Sequence, residues 1–141
     1  MNEHGKTPVL VTSAPAPIGP YSQAIKCHEL VFVSGQLALN PATGELVGPD
    51  AASQARKALE HIEAILEASG SGLARVVKTT IFMTNLADFP AVNEVYAKFF
   101  PLDPPARSTV QVAALPKGAK VEIEAIATCP KAAGQFGSSM F

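Results

Sequence analysis

A single arginine in the stretch "DPPARSTVQV" stands where the chain otherwise favours β-structure. Arg107 follows two prolines and is the only charged residue between Asp103 and Lys117. A planar guanidinium can bind a carboxylate through two parallel hydrogen bonds. An arginine at the start of a strand can equally be an ion-paired surface residue, so its position alone leaves both interpretations open.

Two carboxylates occur in the run "KVEIEAIAT", at Glu122 and Glu124. A hairpin closed by "PKGA" would put these carboxylates on the same sheet face as Arg107, Thr109 and Gln111. In that hairpin Arg107 would lie opposite about position 128, on the order of 20 Å from Glu122 at about 3.3 Å per residue. One small ligand could not contact both within one chain. Either the two residues are unrelated or, as we favour, Arg107 of one subunit meets Glu122 of another.

The strands that position these residues are indicated by β-branched and alternating runs. They are predicted at "VLVT" (9–12), at "YSQAIKC" and "LVFVSGQLAL" as a hairpin turning at "HE", at "LARVVKTTIFMT" (73–84), and at "RSTVQVAAL" and "KVEIEAIAT". "NPATGELVGPD" is rich in turn residues and separates the third strand from the first helix.

Two helices are predicted between the strands. The first has apolar residues at helical spacing, with Asp50 or Ser53 capping its start and Gly70 closing its end. The second is capped by Asp88 and carries Pro90 in its first turn. The order β-β-β-α-β-α-β-β predicts a mixed α+β sheet with both helices on one face, and we expect a neighbouring copy to cover the other face.

Composition limits the class of protein. With 141 residues, 48% hydrophobic and 16% charged, we predict one domain over 1–130 and a loose tail over 131–141. The net charge of −1 without a basic tract argues against a nucleic-acid partner, and no apolar run approaches the ~20 residues that span a membrane. Without a signal-peptide pattern, and with only Cys27 and Cys129, a reducing cytoplasmic setting is expected.

Four stretches closely resemble the Rid family, also called YjgF or L-PSP. They are "IGPYSQAI", "VFVSGQ", "VVKTTIFMTNLADFPAVNEVYAKFF" and "PPARSTVQVAALPKGAKVEIEAIA", and the similarity extends from about Pro15 to Ala127. Members of the family are deaminases of reactive imines, acting on 2-iminobutanoate and 2-iminopropanoate. The resemblance implies a chorismate-mutase-like α+β fold and a homotrimer with clefts between subunits.

The resemblance also implies roles for individual residues. Arg107 matches the arginine that binds the substrate carboxylate, and Glu122 matches the glutamate that positions or activates the attacking water. Thr109 stands where some bacterial members have cysteine, so thiol chemistry cannot be required. Four further residues match positions that line the cleft: Tyr21, Ser34, Gly35 and Asn93.

Structural interpretations of the same residues stay open. Tyr21 could fill a turn, Ser34 with Gly35 could mark a bulge or tight bend, and Asn93 could lie on a helix surface. Glu124, two residues after Glu122, is the other candidate for the catalytic carboxylate.

The implied reaction converts a 2-imino acid or enamine to a 2-keto acid and ammonia. A guanidinium would hold the carboxylate, a glutamate would take a proton from water, and neutral donors such as Tyr21 and Ser34 would orient the substrate. No metal or organic cofactor is demanded. Three alternatives remain: an RNA-cleaving translation inhibitor, a chaperone-like or keto-acid-binding regulatory protein, and a deaminase of a different imine.

Overall fold

The structure is a computed structural model that describes residues 2–130. It contains one six-stranded sheet and two α-helices in the predicted order, so the mixed α+β fold is confirmed. The strands are β1 (Thr7–Val9), β2 (Ala24–Cys27), β3 (Leu30–Gln36), β4 (Val76–Met83), β5 (Ala106–Gln111) and β6 (Val121–Thr128), and the helices are α1 (Ala51–Ala68) and α2 (Phe89–Phe99). The predicted tail over 131–141 lies outside the described residues.

The strands lie in the sheet in the order β1-β2-β3-β6-β4-β5. Every pair is antiparallel except β4 with β5, which are parallel and are connected through α2. A parallel pair needs such a crossover, because a tight turn can only reverse the chain direction. This arrangement puts β3 and β6 at the centre of the sheet and β5 at one of its edges.

Both helices pack on one side of the sheet, which we call the helix face. The alternating residues Val121, Ile123, Ala125 and Ala127 of β6 point to this face and are buried in the main core with the apolar residues of α1. Glu122 and the other intervening residues of β6 point to the opposite side, the open face. Neither helix within residues 2–130 is long and apolar enough to cross a membrane.

The start of α1 has the predicted cap in full. The Asp50 carboxylate accepts from the Ser53 N–H at 2.8 Å, and the Ser53 hydroxyl accepts from the Asp50 N–H at 3.3 Å. At the other end Gly70 adopts φ +83°, and the Ser71 N–H donates to the Leu66 carbonyl at 2.8 Å. Glycine suits this left-handed position because it has no Cβ to clash.

Three local predictions need correction. Residues Leu73–Arg75 form a short 3₁₀ turn before β4, and the first strand begins at Thr7 and ends at Val9 rather than covering 9–12. Asp88 precedes α2 but makes no side-chain capping bond. The cap is made earlier, by Asn85, whose side chain accepts from the Ala87 N–H at 2.9 Å, because a 3₁₀ turn leads into the helix.

The predicted hairpin of β5 and β6 is wrong. β4 lies between these strands: Arg107 pairs with Thr79, and Thr79 pairs with Ala125. "PKGA" belongs to a longer connection, in which Pro116–Gly118 forms a 3₁₀ turn with Lys117 at φ +60°. The expectation that Arg107 and the two carboxylates share a sheet face is also wrong. Arg107 lies directly beside Thr79, whose side chain is buried, so Arg107 is on the helix face, whereas Glu122 is on the open face.

Candidate active site

A cavity of about 530 Å³ borders the open face and brings together four of the predicted site residues. We call it the carboxylate pocket, and its predicted members are Tyr21, Ser34, Gly35 and Glu122. Glu124 also lines it, while Ile18, Leu37 and Leu39 contribute apolar wall. A cavity of this size can hold a small organic acid beside a carboxylate.

The wall that carries Tyr21 is shaped by a buried glutamine that sequence reasoning missed. The side chain of Gln23, 1% exposed, accepts from the Val11 N–H at 2.7 Å and donates to the Pro15 carbonyl at 2.8 Å. These bonds fix the proline-rich segment that precedes Tyr21. Since one side chain serves both ends of this segment, the pocket wall is held without a regular strand.

The two hydroxyls of the pocket are not equivalent. Ser34 donates its hydroxyl proton to the Ser22 carbonyl at 2.6 Å, so it can offer a ligand only an acceptor. The Tyr21 hydroxyl accepts from the Ile18 N–H at 3.2 Å, which leaves its own proton available for donation. The expectation that both act as donors is therefore corrected: Tyr21 can donate to a ligand, whereas Ser34 is committed to the backbone.

Gly35 allows the carboxylate of Glu122 to lie against the backbone of β3. A Cβ added at Gly35 would stand 2.6 Å from Glu122 Oε2 and 2.8 Å from the carboxyl carbon. The φ of Gly35 does not require glycine, so the demand is one of space alone. Any larger residue here would displace the carboxylate.

Burial raises the pKa of the Glu122 carboxyl above its usual range, and the nearby Glu124 carboxylate raises it further. Among residues 2–130, Glu122 has no hydrogen-bond or ion-pair partner. A carboxylate with a raised pKa and free oxygens is a stronger base than an ordinary carboxylate and is suited to accept a proton from water. The geometry therefore distinguishes Glu122, which contacts Gly35 and has the raised pKa, from the more exposed Glu124.

Arg107 lies at the sheet edge on the helix face and packs against aromatic rings. Its guanidinium carbon is 4.7 Å from the ring centroid of Tyr96 and 5.2 Å from that of Phe89. In the described part of the chain the only ion pairs are Glu3 with His4 and Lys57 with Glu60, so Arg107 has no carboxylate partner. The interpretation as an ion-paired surface arginine does not fit this environment.

Thr109 and Asn93 lie close to Arg107 in the fold. The Thr109 hydroxyl, two residues further along β5, is buried and has no hydrogen-bond partner within residues 2–130. Asn93 follows Phe89 by four residues and precedes Tyr96 by three, so helical spacing puts it on the same side of α2. We call Asn93, Arg107 and Thr109 the arginine cluster. An unpaired buried hydroxyl costs free energy, which a polar ligand atom would recover.

The carboxylate pocket and the arginine cluster do not meet within one chain. Arg107 and Glu122 are three residues apart along the strands and two strands apart across the sheet, about 14 Å between their Cα atoms. Their side chains leave the sheet on opposite faces. The distance is shorter than the predicted ~20 Å because the register aligns Arg107 with Ala125, three residues from Glu122 rather than six. A small ligand still cannot contact both side chains of one chain.

The fold and these two clusters define a small α+β protein with a half-buried carboxylate and an arginine without a carboxylate partner on opposite faces of one sheet. Comparison with known families is consistent with that class and narrows it. The family model described as Endoribonuclease L-PSP matches residues 11–129, and the chain belongs to this family. The resemblance seen in the sequence is thereby confirmed.

Relatives and solved structures agree with this assignment. The chain is 55% identical over 123 residues to an Arabidopsis thaliana protein named Reactive Intermediate Deaminase A, chloroplastic, covering 87% of this chain and 66% of that protein. It is 48% identical over 119 residues to a goat (Capra hircus) protein named 2-iminobutanoate/2-iminopropanoate deaminase, covering 84% and 87%. The crystal structure of E. coli TdcF with bound serine is 44% identical, with a TM-score of 0.84 over 88% of this chain and 99% of that one.

Proposed function

We propose that this protein hydrolyses reactive 2-imino acids and their enamines, such as 2-iminobutanoate and 2-iminopropanoate, to 2-keto acids and ammonia. The observation that carries the proposal is the guanidinium of Arg107, held between aromatic rings without a carboxylate partner and so available for a substrate carboxylate. The names of the Arabidopsis and goat relatives support the same substrate class.

The site forms between subunits of a homotrimer, where the arginine cluster of one chain meets the carboxylate pocket of the next. The separation of the two clusters within one chain supports this arrangement. The open face supports it too, since Phe32 and Leu30 are 42% and 37% exposed there. Apolar side chains exposed together on a sheet face favour contact with another copy. The homotrimer and the site between its subunits are therefore proposed together.

The reaction follows from the groups that the two clusters supply. Arg107 binds the substrate carboxylate in its planar fork, and the Thr109 hydroxyl donates a further hydrogen bond. Glu122 takes a proton from water as the water oxygen bonds to the imine carbon, and the imine nitrogen receives a proton that Tyr21 can donate. The protonated Glu122 then protonates the nitrogen of the tetrahedral adduct, the C–N bond breaks and ammonia leaves, and the hydroxyl proton of the adduct returns to Tyr21 as the 2-keto acid forms.

The pocket also favours a substrate with a small apolar side chain. Ile18, Leu37 and Leu39 line it and offer hydrocarbon surface next to the reacting carboxylate. Since the free imine already hydrolyses in water, positioning and acid–base help are sufficient, the latter typically ~10²–10⁴-fold. The unpaired thiols of Cys27 and Cys129 support a reducing compartment such as the cytoplasm.

RNA cleavage is the second candidate, because the family description contains the word endoribonuclease. His61 of α1 is buried, and its Nε2 hydrogen-bonds the Leu39 carbonyl at 2.8 Å. His4 and His28 are exposed and lie in two separate turns. Among the described residues, therefore, no pair of histidines is poised for acid–base cleavage. Incubating the purified protein and its Arg107→Ala variant with RNA separates the two activities.

The test of the proposed function generates 2-iminobutanoate with a threonine dehydratase and traps the residual imine with semicarbazide. Arg107→Ala removes charge-assisted hydrogen bonds and is expected to lower kcat/KM about 10–10²-fold. Glu122→Gln is expected to lower kcat about 10²-fold or more. Glu124→Gln serves as the matched control and retains most of the activity. Wild-type rates in Arg107→Ala would contradict the proposal.

A further inference from the structure

Two aromatic residues of α2 surround the guanidinium of Arg107. Phe89 and Tyr96 are seven residues apart, which is two helical turns or about 10.5 Å along the axis. The guanidinium carbon is 5.2 Å from the first ring centroid and 4.7 Å from the second. The cation therefore occupies the space between the rings, and each ring is close enough for a cation–π contact.

Tyr96 is itself held rigidly by its neighbours. It is 5% exposed, its hydroxyl hydrogen-bonds the Thr79 hydroxyl at 2.7 Å, and Phe100 packs against its ring at a centroid distance of 4.7 Å. Thr79 is the cross-strand partner of Arg107. Arg107 is therefore linked to Thr79 in two ways. Its backbone pairs with Thr79, and its guanidinium packs on the Tyr96 ring, whose hydroxyl bonds to the Thr79 hydroxyl. Together these contacts fix the guanidinium relative to β4.

We propose that Tyr96, assisted by Phe89, is a positioning residue that orients Arg107 for substrate binding. The inference rests on the proposed function and adds two aromatic residues of α2 to the candidate site. An aromatic face attracts a cation from above its plane and leaves the in-plane N–H donors unoccupied. A carboxylate partner would instead occupy the donors that the substrate carboxylate needs.

The aromatic contacts thus hold the guanidinium while keeping it available. Without the Tyr96 ring, the long arginine side chain would sample other rotamers, and each binding event would have to order it again. The expected loss is in the affinity for the carboxylate, and hence in KM, whereas the proton transfer at Glu122 is unaffected. A purely structural role for Tyr96 would lower the stability without this division between KM and kcat.

The experiment compares Tyr96→Leu, Tyr96→Phe and Phe100→Leu in the full-length protein. Affinity for 2-oxobutanoate is measured by calorimetry, and KM and kcat for the imine are measured by semicarbazide trapping. Tyr96→Leu is expected to weaken affinity and raise KM about tenfold with kcat nearly unchanged. Tyr96→Phe retains the ring and recovers most of the affinity. Phe100→Leu retains the Tyr96 ring but loosens its packing, so it should lower stability with a smaller rise in KM than Tyr96→Leu.

The outcomes separate this inference from the proposed function. If Arg107→Ala abolishes 2-oxobutanoate binding while Tyr96→Leu binds as tightly as wild type, the positioning role is wrong and the proposed function stands. If Arg107→Ala itself leaves binding intact, the proposed function fails first. Should Tyr96→Leu not fold, Phe89→Leu at the partly buried start of α2 decides, since it removes the second ring and is expected to raise KM several-fold. An unchanged KM in Phe89→Leu would then overturn the inference.

Discussion

The carboxylate pocket and the arginine cluster differ in the charge state of the group that each one contains. Glu122 lies half-buried without a partner in the described chain, and burial raises its pKa, so the charged form is disfavoured. Arg107 is always charged and is held by aromatic faces that leave its charge uncompensated. One group can therefore exchange a proton at a higher pH than an ordinary carboxyl, whereas the other stays positively charged throughout the physiological range.

The comparison also explains why the two lie on opposite faces of one sheet. If Arg107 and Glu122 of one chain were adjacent, they would form an ion pair, and the pKa of the carboxyl would fall instead of rising. The guanidinium would also lose the donors it needs for a substrate. Separation by two strands keeps each group reactive, and the proposed assembly brings them together across a subunit boundary with the substrate between them.

The largest effect is expected in the carboxylate pocket, from Gly35→Ala. The new Cβ would stand 2.6 Å from Glu122 Oε2, so the carboxylate must move, and a displacement of about 1 Å can lower the rate on the order of 10²-fold. Affinity for 2-oxobutanoate, which we propose depends on Arg107, should change far less. Steady-state kinetics and calorimetry on the same preparation measure the two effects.

Gly72→Ala is the matched control for that substitution. Gly72 has φ 176°, which any residue adopts, and a Cβ there would meet nothing within 4 Å. We expect wild-type kinetics from it. A Gly35→Ala enzyme that retains full kcat would show that the position of Glu122 does not control the reaction, which would break the division of roles between the two regions.

A smaller effect is expected in the arginine cluster, from Thr109→Val. The buried hydroxyl has no partner in the described chain, so its removal should leave the free energy of unfolding unchanged or slightly higher. Affinity for 2-oxobutanoate should fall roughly fivefold, the equivalent of about 1 kcal/mol for one hydrogen bond. Thr79→Val, which breaks the bond to Tyr96, is the control and should lose stability. Equal destabilisation with unchanged affinity in Thr109→Val would contradict a ligand role.

The smallest effect concerns stability and pH. Because the folded pKa of Glu122 is raised, ionisation in the fold is unfavourable, and the wild type loses stability as pH rises through that pKa. Glu122→Gln should therefore raise the free energy of unfolding near pH 7, by less than about 1 kcal/mol since the side chain is only half-buried, and Tm should rise with it. The gain should vanish below the ordinary carboxyl pKa. A lower Tm at pH 7 would indicate instead that Glu122 is ion-paired in the assembled protein.

Local signals in the sequence were sufficient for most of the fold. The apolar periodicity of α1, its cap at Asp50 and Ser53, and the glycine at its end all act within a few residues of one another, and they predict the helix correctly. The alternation along β6 likewise distinguishes the buried face from the face that carries Glu122. The mixed sheet with two helices followed from the order of these elements.

The pairing of β5 was not predictable in the same way. Which strand lies next to β5 depends on the crossover through α2 and on contacts between distant residues, and neither is encoded in a short window. The error placed Arg107 and Glu122 on one face and concealed the contact of Arg107 with Phe89 and Tyr96. The structure brings Tyr21, Ser34, Gly35 and Glu122 into one cavity, but it does not join them to Arg107 within a chain.

The central claim is that Arg107 of one chain and Glu122 of another form one site, and mixing two impaired variants tests it most directly. Arg107→Ala and Glu122→Gln are unfolded together at equal amounts and refolded, and native mass spectrometry verifies that mixed oligomers have formed. Roughly one quarter of the interfaces then combine an intact Arg107 with an intact Glu122, so activity should return to about that fraction of wild type. Verified mixed oligomers without any recovered activity, or a fully active monomer, would contradict the claim.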